Sequence, residues 1–250
     1  MQTFQSDGAE IAFLDEGTGE PILLLHGFAS NARVNWVDTG WVRHLLRGGR
    51  RVIAMDSRGH GASQKFYTPQ DYGPHIMAGD ARCLLDHLAI DRADVMGYSM
   101  GARHSAFLTL ANPARVRSAV FAGLGSNMVR PMSGTGPIAA ALEMPRMEDV
   151  VNPTARTFRA FAESTRSDLK ALAACIRSAR DPVLPEVIAQ ITCPVLVAVG
   201  SIDPIGGSAE ILAKLIPGAE AFVIEGCDHM RAVGDRTFKD AVSVFLARRP

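Results

Sequence analysis

In the middle of the chain stands the stretch Ala93-Asp94-Val95-Met96-Gly97-Tyr98-Ser99-Met100-Gly101. A short apolar run ends at Gly97 and a helical pattern follows Gly101, so this G-x-S-x-G sequence occupies a strand-to-helix turn. A turn this tight strains the serine backbone, and only glycine-sized neighbours leave room for it. It raises the serine hydroxyl above the sheet and aims the first N–H groups of the helix at the same point. The stretch therefore predicts a nucleophile, Ser99, and the alternative is an ordinary glycine-flanked serine.

A serine hydroxyl becomes a good nucleophile only when a base removes its proton, so a histidine must reach it. His229 lies in a loop after the last predicted strand, where an open parallel sheet gathers functional groups beyond the carboxyl ends of its strands. We therefore predict His229 as the base. The other six histidines are expected to be solvated or hydrogen-bonded: His26, His44, His60, His75, His87 and His104.

The base needs a carboxylate that fixes its tautomer. Asp203 follows the penultimate strand, whereas the segment after the sixth strand, residues 123–127, contains no acid. Asp228 is adjacent to His229 in sequence, which places its side chain badly for orienting the ring. Asp203 is therefore the predicted acid, and its alternative role is an N-cap for the helix that begins near Ser208.

Short apolar runs bounded by turn residues alternate with helical patterns, which favours a mainly parallel sheet flanked by helices. Ile11 begins an early strand that we assign to an antiparallel hairpin. Residues 126–185 contain no convincing strand and are interpreted as an inserted helical cap, called the lid below. Residues 1–125 and 186–250 then form the core domain. The six remaining strand predictions are residues 21–25, 51–55, 93–96, 118–121, 194–199 and 221–224.

Composition excludes several other classes of protein. The 250 residues include 26 basic and 26 acidic side chains, which gives no electrostatic footprint for nucleic acid or anionic membrane. The four cysteines lie far apart without metal-ligand spacing, so we expect reduced thiols and no metal. No G-x-G-x-x-G or P-loop motif indicates a cofactor. Because no signal peptide or long apolar run is visible, we expect a soluble, cytoplasmic protein.

The order Ser99, Asp203, His229, with G-x-S-x-G on a strand-to-helix turn, resembles the α/β-hydrolase fold superfamily. That resemblance implies an eight-stranded, mostly parallel sheet. It also implies that the segment beginning at His26 supplies the backbone N–H of Phe28 to an oxyanion hole, beside the N–H of Met100. The run from Asp56 to Ser63 is similar to the family's D-x-R-G-x-G-x-S turn, which we interpret as structural.

The resemblance implies acyl transfer to water, and ester or lactone hydrolysis is the commonest such chemistry. A serine nucleophile argues against the haloalkane dehalogenase and epoxide hydrolase branches, which use a carboxylate. Tyr98 does not match the asparagine associated with many carbon–carbon bond hydrolases of this fold. We expect a small ester or lactone as the only binding partner. Whether the chain also forms a homodimer is left open by the sequence. Further candidates for substrate contacts are Tyr98, Arg103, Phe158 and Phe161.

Two other readings of the function stay open. The segment from Tyr98 to Arg103 is similar to the G-Y-S-[LM]-G-G-R turn of a menaquinone-pathway lyase, in which the arginine helps to bind substrate carboxylates, although Ala102 replaces a glycine. A solvated or locally paired Arg103 is the simpler interpretation. Some members of the fold also act as small-molecule receptors while keeping the same three residues. Substrate turnover in excess substrate separates a receptor from an esterase.

Overall fold

Eight strands form one sheet in the order β1-β2-β4-β3-β5-β6-β7-β8. The computed structural model describes residues 1–131, 135–178 and 182–248. The β1–β2 and β2–β4 pairs are antiparallel and all other pairs are parallel, which confirms the predicted mostly parallel sheet with an N-terminal hairpin. The strands are β1 Gln2–Ser6, β2 Ala9–Glu16, β3 Glu20–Leu25, β4 Arg50–Met55, β5 Ala93–Tyr98, β6 Val116–Ala122, β7 Val195–Gly200 and β8 Glu220–Ile224.

Helices cover both faces of the sheet, which is why its central strands are apolar on both sides. All six residues of β5 and of β7 are buried. One face packs against α1 and α9, and the other against α2, α3, α7 and α8. The helices are α1 Trp41–Arg47, α2 Pro74–His87, α3 Met100–Ala111, α4 Thr135–Glu143, α5 Pro153–Ser164, α6 Leu169–Arg177, α7 Pro185–Ile188, α8 Ala209–Ala213 and α9 Arg236–Arg248.

Within residues 126–185, the described part of the chain contains helices and no strand. Residues 132–134 and 179–181 of this predicted lid lie outside the described residues. Helix α4 packs against α5 and α6 around a third apolar cluster, which also includes Phe28 and Met100. The lid therefore shares a core with the residues that flank Ser99. The division into core and lid domains stays a prediction.

None of the helices in the described ranges is long and apolar enough to cross a bilayer.

Two glycines allow the sheet and helix α3 to approach each other at the end of β5. A Cβ added to Gly101 would lie 2.0 Å from the carbonyl oxygen of Leu25, and one added to Gly97 would lie 2.1 Å from that of Gly101. Both neighbours are backbone atoms of buried elements and cannot move aside alone. The G-x-S-x-G spacing is thus required by the close contact of β3, β5 and α3.

We predict that Gly101→Ala lowers the free energy of unfolding by about 3 kcal/mol or more, because the added methyl overlaps backbone. Gly79→Ala is the matched control, since Gly79 lies inside α2 and a Cβ there meets nothing within 4 Å. That control should raise the free energy by about 0.5–1 kcal/mol through helix propensity. Urea unfolding measures both. A Gly101→Ala variant as stable as wild type would contradict the packing argument.

Candidate active site

Ser99 stands at the junction of β5 and α3 with φ 55° and ψ −109°. A non-glycine residue with positive φ costs on the order of 1–3 kcal/mol and persists only when its surroundings impose it. Here the Ser99 N–H donates to the Ala122 carbonyl at 2.7 Å, and its own carbonyl accepts from the Ala102 N–H at 3.0 Å. The backbone strain predicted from the glycine spacing is therefore present.

The three residues predicted from chain order lie in contact. His229 Nε2 is 3.0 Å from Ser99 Oγ, and His229 Nδ1 is 2.7 Å from Asp203 Oδ2. Because the carboxylate can only accept, it binds an Nδ1–H and leaves the Nε2 lone pair facing the serine hydroxyl. The arrangement can therefore take a proton from Ser99.

Asp203 is held by its other oxygen, which accepts the N–H groups of Ile205 at 2.7 Å and Gly206 at 3.0 Å. It does not cap α8, whose N-cap is Ser208. Asp228 turns away from the imidazole, and its Oδ1 accepts the N–H groups of Met230 and Arg231. Both aspartates are thus fixed, and only Asp203 faces the ring.

Tyr98 anchors the backbone of His229. Its hydroxyl donates to the His229 carbonyl, and its ring centroid lies 5.4 Å from that of the imidazole. Burial, followed by the nearby Asp203 and Asp228 carboxylates, raises the pKa of Tyr98 well above its ordinary value. The phenol consequently stays protonated and remains a donor. From the sequence Tyr98 was a candidate for substrate contact only, and its hydroxyl is engaged in this anchor.

Residues 27–30, called the oxyanion loop here, form a turn beside Ser99. The Gly27 carbonyl accepts the N–H of Ser30 at 3.2 Å, and Nδ1 of His26 lies 2.7 Å from it. Since a trans peptide is planar, the N–H of Phe28 must point opposite to that carbonyl, away from His26. Phe28 also lines the same cavities as Ser99. The turn therefore fixes the direction of the predicted oxyanion donor.

His26 and Asn35 hold this loop and were given no such role from the sequence. His26 Nε2 accepts the Ser57 N–H at 2.9 Å, which leaves Nδ1 as the donor to Gly27, and burial lowers the pKa of His26 so that it stays neutral. Asn35 Oδ1 accepts the Gly27 N–H at 3.0 Å. Asn35 lies in a π-helical turn over Arg33–Val37, and a single sequence carries no signal for that contact.

The turn that follows β4 is structural, as expected. The Asp56 carboxylate accepts the N–H groups of Ala32 and Ala62, each at 2.7 Å, so it joins this turn to the segment after the oxyanion loop. Arg58 makes two hydrogen bonds of 2.7 Å with Asp80 on α2. Both side chains are thus engaged away from Ser99.

Two cavities meet at Ser99. Both cavities are lined by Ser99, by His229 and by the rings of the lid residues Phe158 and Phe161. The smaller has a volume of about 200 Å³ and is otherwise lined mainly by Gly27, Ser30, Val34, Asn35, Thr39, Tyr98 and Val233. The larger, about 750 Å³, extends under the lid past Met100, Arg103, Asn127, Arg130, Thr157 and Ile176. Open space therefore extends from Ser99 in two directions.

Arg103 is locally paired and not solvated, so of the two forms of the simpler interpretation the solvated one is wrong. The residue is 2% exposed, and its guanidinium donates to the carbonyls of Asn127 at 3.3 Å and Met128 at 3.4 Å. Helix α3 is packed against β6 and the loop that follows it, so the arginine is covered and pairs locally with backbone. It also contributes to the wall of the larger cavity.

Within residues 1–131, 135–178 and 182–248, no cluster of His, Cys, Asp or Glu has the geometry to hold a metal ion.

The chain is similar to known proteins in both sequence and structure. The family model described as "alpha/beta hydrolase fold" matches residues 20–151, which is more than half of the chain. Epoxide hydrolase 2 from Siraitia grosvenorii is 33% identical over 121 residues, which are 47% of this chain and 36% of that protein. The 2-hydroxymuconate semialdehyde hydrolase from Pseudomonas sp. (strain CF600) is 34% identical over 109 residues, 44% of this chain and 38% of that protein. The matches thus span well under half of each relative.

Among solved structures, the N-acyl homoserine lactone degrading enzyme Est816 superposes with a TM-score of 0.76 at 25% identity, covering 98% of this chain and 100% of the other. The structural likeness therefore extends over the part of the chain that the sequence matches leave out.

We predict that Asp203→Asn slows labelling of Ser99 by an organophosphonate by roughly 10⁴-fold, because an amide favours the wrong histidine tautomer. Asp228→Asn is the matched control and should leave the labelling rate within about threefold of wild type. Intact-protein mass spectrometry over time measures both rates. The opposite ranking of the two variants would show that Asp203 is not the orienting acid.

Proposed function

Since the chain belongs to the α/β-hydrolase fold family, we propose that it is a serine hydrolase that cleaves carboxylic esters or lactones of small to medium size through an acyl-enzyme intermediate. The observation that carries this proposal is the line of hydrogen bonds from Asp203 through His229 to Ser99, at 2.7 and 3.0 Å, where two cavities meet. A nucleophile, a base and room for both halves of an ester are the minimum that acyl transfer requires.

In the proposed reaction, Ser99 Oγ attacks the carbonyl carbon while His229 Nε2 takes the hydroxyl proton. The ester C–O bond then breaks, and protonated His229 gives its proton to the departing oxygen. A water attacks the acyl-enzyme by the same route, releasing the acid and restoring Ser99. In a lactone the departing oxygen stays tethered to the acyl group, so both cavities are used by one molecule.

The negative charge on the carbonyl oxygen is the main cost of each attack, and backbone donors lower it most effectively when they are fixed beforehand. Met100 begins α3, so its N–H lies in the first turn of the helix, beside Ser99 and at the positive end of the helix dipole. Phe28 supplies the second N–H, with the direction imposed by the Gly27 carbonyl. Burial lowers the pKa of His26, and its neutral ring keeps the Nδ1–H bonded to the Gly27 carbonyl.

Competing chemistries receive less support. Epoxide opening in this fold relies on a carboxylate nucleophile, and the residue at the turn is Ser99. The lyase reading requires Arg103 to bind a substrate carboxylate, yet its guanidinium hydrogen-bonds to the carbonyls of Asn127 and Met128. Removing Arg103 would also take a donor from each of these carbonyls, of which Met128 keeps the Val183 N–H, so a loss of activity in such a variant would not identify the substrate class. The receptor hypothesis predicts an acyl-enzyme that stalls after one turnover, so turnover in excess substrate tests it.

We predict multiple turnovers on a panel of p-nitrophenyl esters of increasing acyl length and on simple γ- and δ-lactones. Activity should rise with pH to a plateau, because His229 must be unprotonated to accept the serine proton. Ser99→Ala should lose at least about 10³-fold in kcat. A single-turnover burst that stalls would favour a receptor, and full activity in the alanine variant would exclude Ser99 as nucleophile.

We predict that Phe161→Ala changes acyl-chain preference more than turnover of acetate esters, since the Phe161 ring lines both cavities. The optimum chain length should increase by about two carbons, because the lost ring frees apolar volume next to Ser99. The ratio of kcat/KM between hexanoate and acetate esters measures this. Equal loss at all chain lengths would indicate that Phe161 only packs the lid.

A further inference from the structure

The turn between α5 and α6 connects the lid to the core. Helix α5 ends in a Schellman motif, with Ser167 N–H bonded to the Ala162 carbonyl at 2.9 Å and Arg166 N–H bonded to the Glu163 carbonyl at 3.0 Å. Arg166 takes φ 54° at the position where glycine is usual. Asp168 then caps α6 by accepting the Ala171 N–H at 3.0 Å. The backbone of this turn is therefore set by both helices.

Thr165 extends from this turn to the oxyanion loop. Its Oγ1 lies 2.9 Å from the Ala29 carbonyl, 3.0 Å from the Ala162 carbonyl and 2.9 Å from Ser167 Oγ. A hydroxyl has one hydrogen, so Ser167 donates to Thr165, and the Thr165 hydrogen is shared by the two carbonyls. Of these three contacts of the Thr165 hydroxyl, the one with Ala29 joins the lid to the core.

Ala29 is the strained residue of the oxyanion loop. Its φ of 58° places an alanine at the third position of the turn from Gly27 to Ser30, where a turn of this kind ordinarily takes glycine. A residue so placed returns to negative φ unless its neighbours hold it. That rotation would turn the Phe28–Ala29 peptide and, through it, Phe28, whose N–H is the predicted oxyanion donor. The Thr165 hydroxyl holds the Ala29 carbonyl in the strained orientation.

A second contact joins the lid to the same turn. The Phe28 ring meets the lid ring Phe158 edge to face, with centroids 5.9 Å apart at 60°. Lid atoms thus contact the side chain of Phe28, which carries the predicted oxyanion donor, and the backbone carbonyl of its neighbour Ala29. Both contacts come from α5 or its C-cap.

We propose that Thr165 is a positioning residue of the oxyanion hole: by binding the Ala29 carbonyl, the lid holds the Phe28 N–H in the orientation that stabilises the tetrahedral intermediate. The inference rests on the proposed hydrolase function. It assigns the lid a part in the chemical step in addition to forming the cavity wall.

The structure provides a matched control. Tyr67, on the segment between β4 and α2, donates its hydroxyl to Asp168 Oδ2 at 3.0 Å, so it ties the same α5–α6 turn to the core without touching the oxyanion loop. Tyr67→Phe removes one lid-to-core hydrogen bond, as Thr165→Val does. If lid attachment in general mattered, the two variants would behave alike.

The test compares wild type with Thr165→Val, Thr165→Ser and Tyr67→Phe. The inhibition constant for an aryl trifluoromethyl ketone, which forms a tetrahedral adduct with Ser99, reports on the oxyanion hole, while KM for a neutral ester reports on ground-state binding. We expect Thr165→Val to raise that constant and lower both kcat and the organophosphonate labelling rate by about tenfold, with KM within about twofold. Thr165→Ser should restore the inhibition constant, kcat and the labelling rate to wild-type values, and Tyr67→Phe should match wild type in all of them.

An unchanged ketone constant and labelling rate in Thr165→Val would overturn the inference, as would an equal loss in Tyr67→Phe. If the valine variant does not fold, Thr165→Ala is measured in its place. Absence of ester and lactone turnover by wild type would overturn the proposed function alone. Ketone capture and labelling need only Ser99, its base and the oxyanion hole, so they still decide the role of Thr165.

Discussion

The close approach of three backbone segments at the end of β5 is the constraint on which the site depends. Strand β3, strand β5 and helix α3 come so near to one another that Gly97 and Gly101 cannot carry a Cβ. Ser99 lies between these two glycines in the sequence and takes a positive φ that its neighbours impose. Because this segment is buried in the sheet, the global stability of the core supplies the free energy that the strained serine costs.

The other half of the site is built by polar groups rather than by close packing. Asn35 binds the Gly27 N–H and His26 binds the Gly27 carbonyl, so the peptides on both sides of Gly27 are held. The second of these peptides includes the Phe28 N–H, and its planarity sets the direction of that donor. Every group in this set is a neutral donor or acceptor, so the loop keeps its form while His229 changes charge. The contacts from Thr165 and Phe158 join the oxyanion loop to the lid, so in the proposed reaction the cavity wall would also support the oxyanion donor.

Several residues show how a side chain's role depends on partners distant in sequence. The sequence left Arg103 open as a substrate ligand or as a solvated or locally paired charge, and the loop after β6 pairs it with two carbonyls. Tyr98 precedes Ser99, yet its hydroxyl holds the backbone of His229, 131 positions away. Asp56 joins two turns that a periodicity argument treats separately. None of these pairings has a local signature.

The sequence alone determined the mainly parallel sheet and its hairpin, and it selected Ser99, Asp203 and His229 as candidates, because apolar runs and glycine spacing are imposed by local sterics and by burial. It also led to Asp203 in preference to Asp228, since a neighbour of His229 cannot reach its ring. Only the tertiary structure decided which atoms hold the oxyanion loop, where Arg103 points, and how the lid meets Ala29. Those are contacts between side chains and carbonyls far apart in the chain, and their geometry exists only once the sheet has brought the loops together.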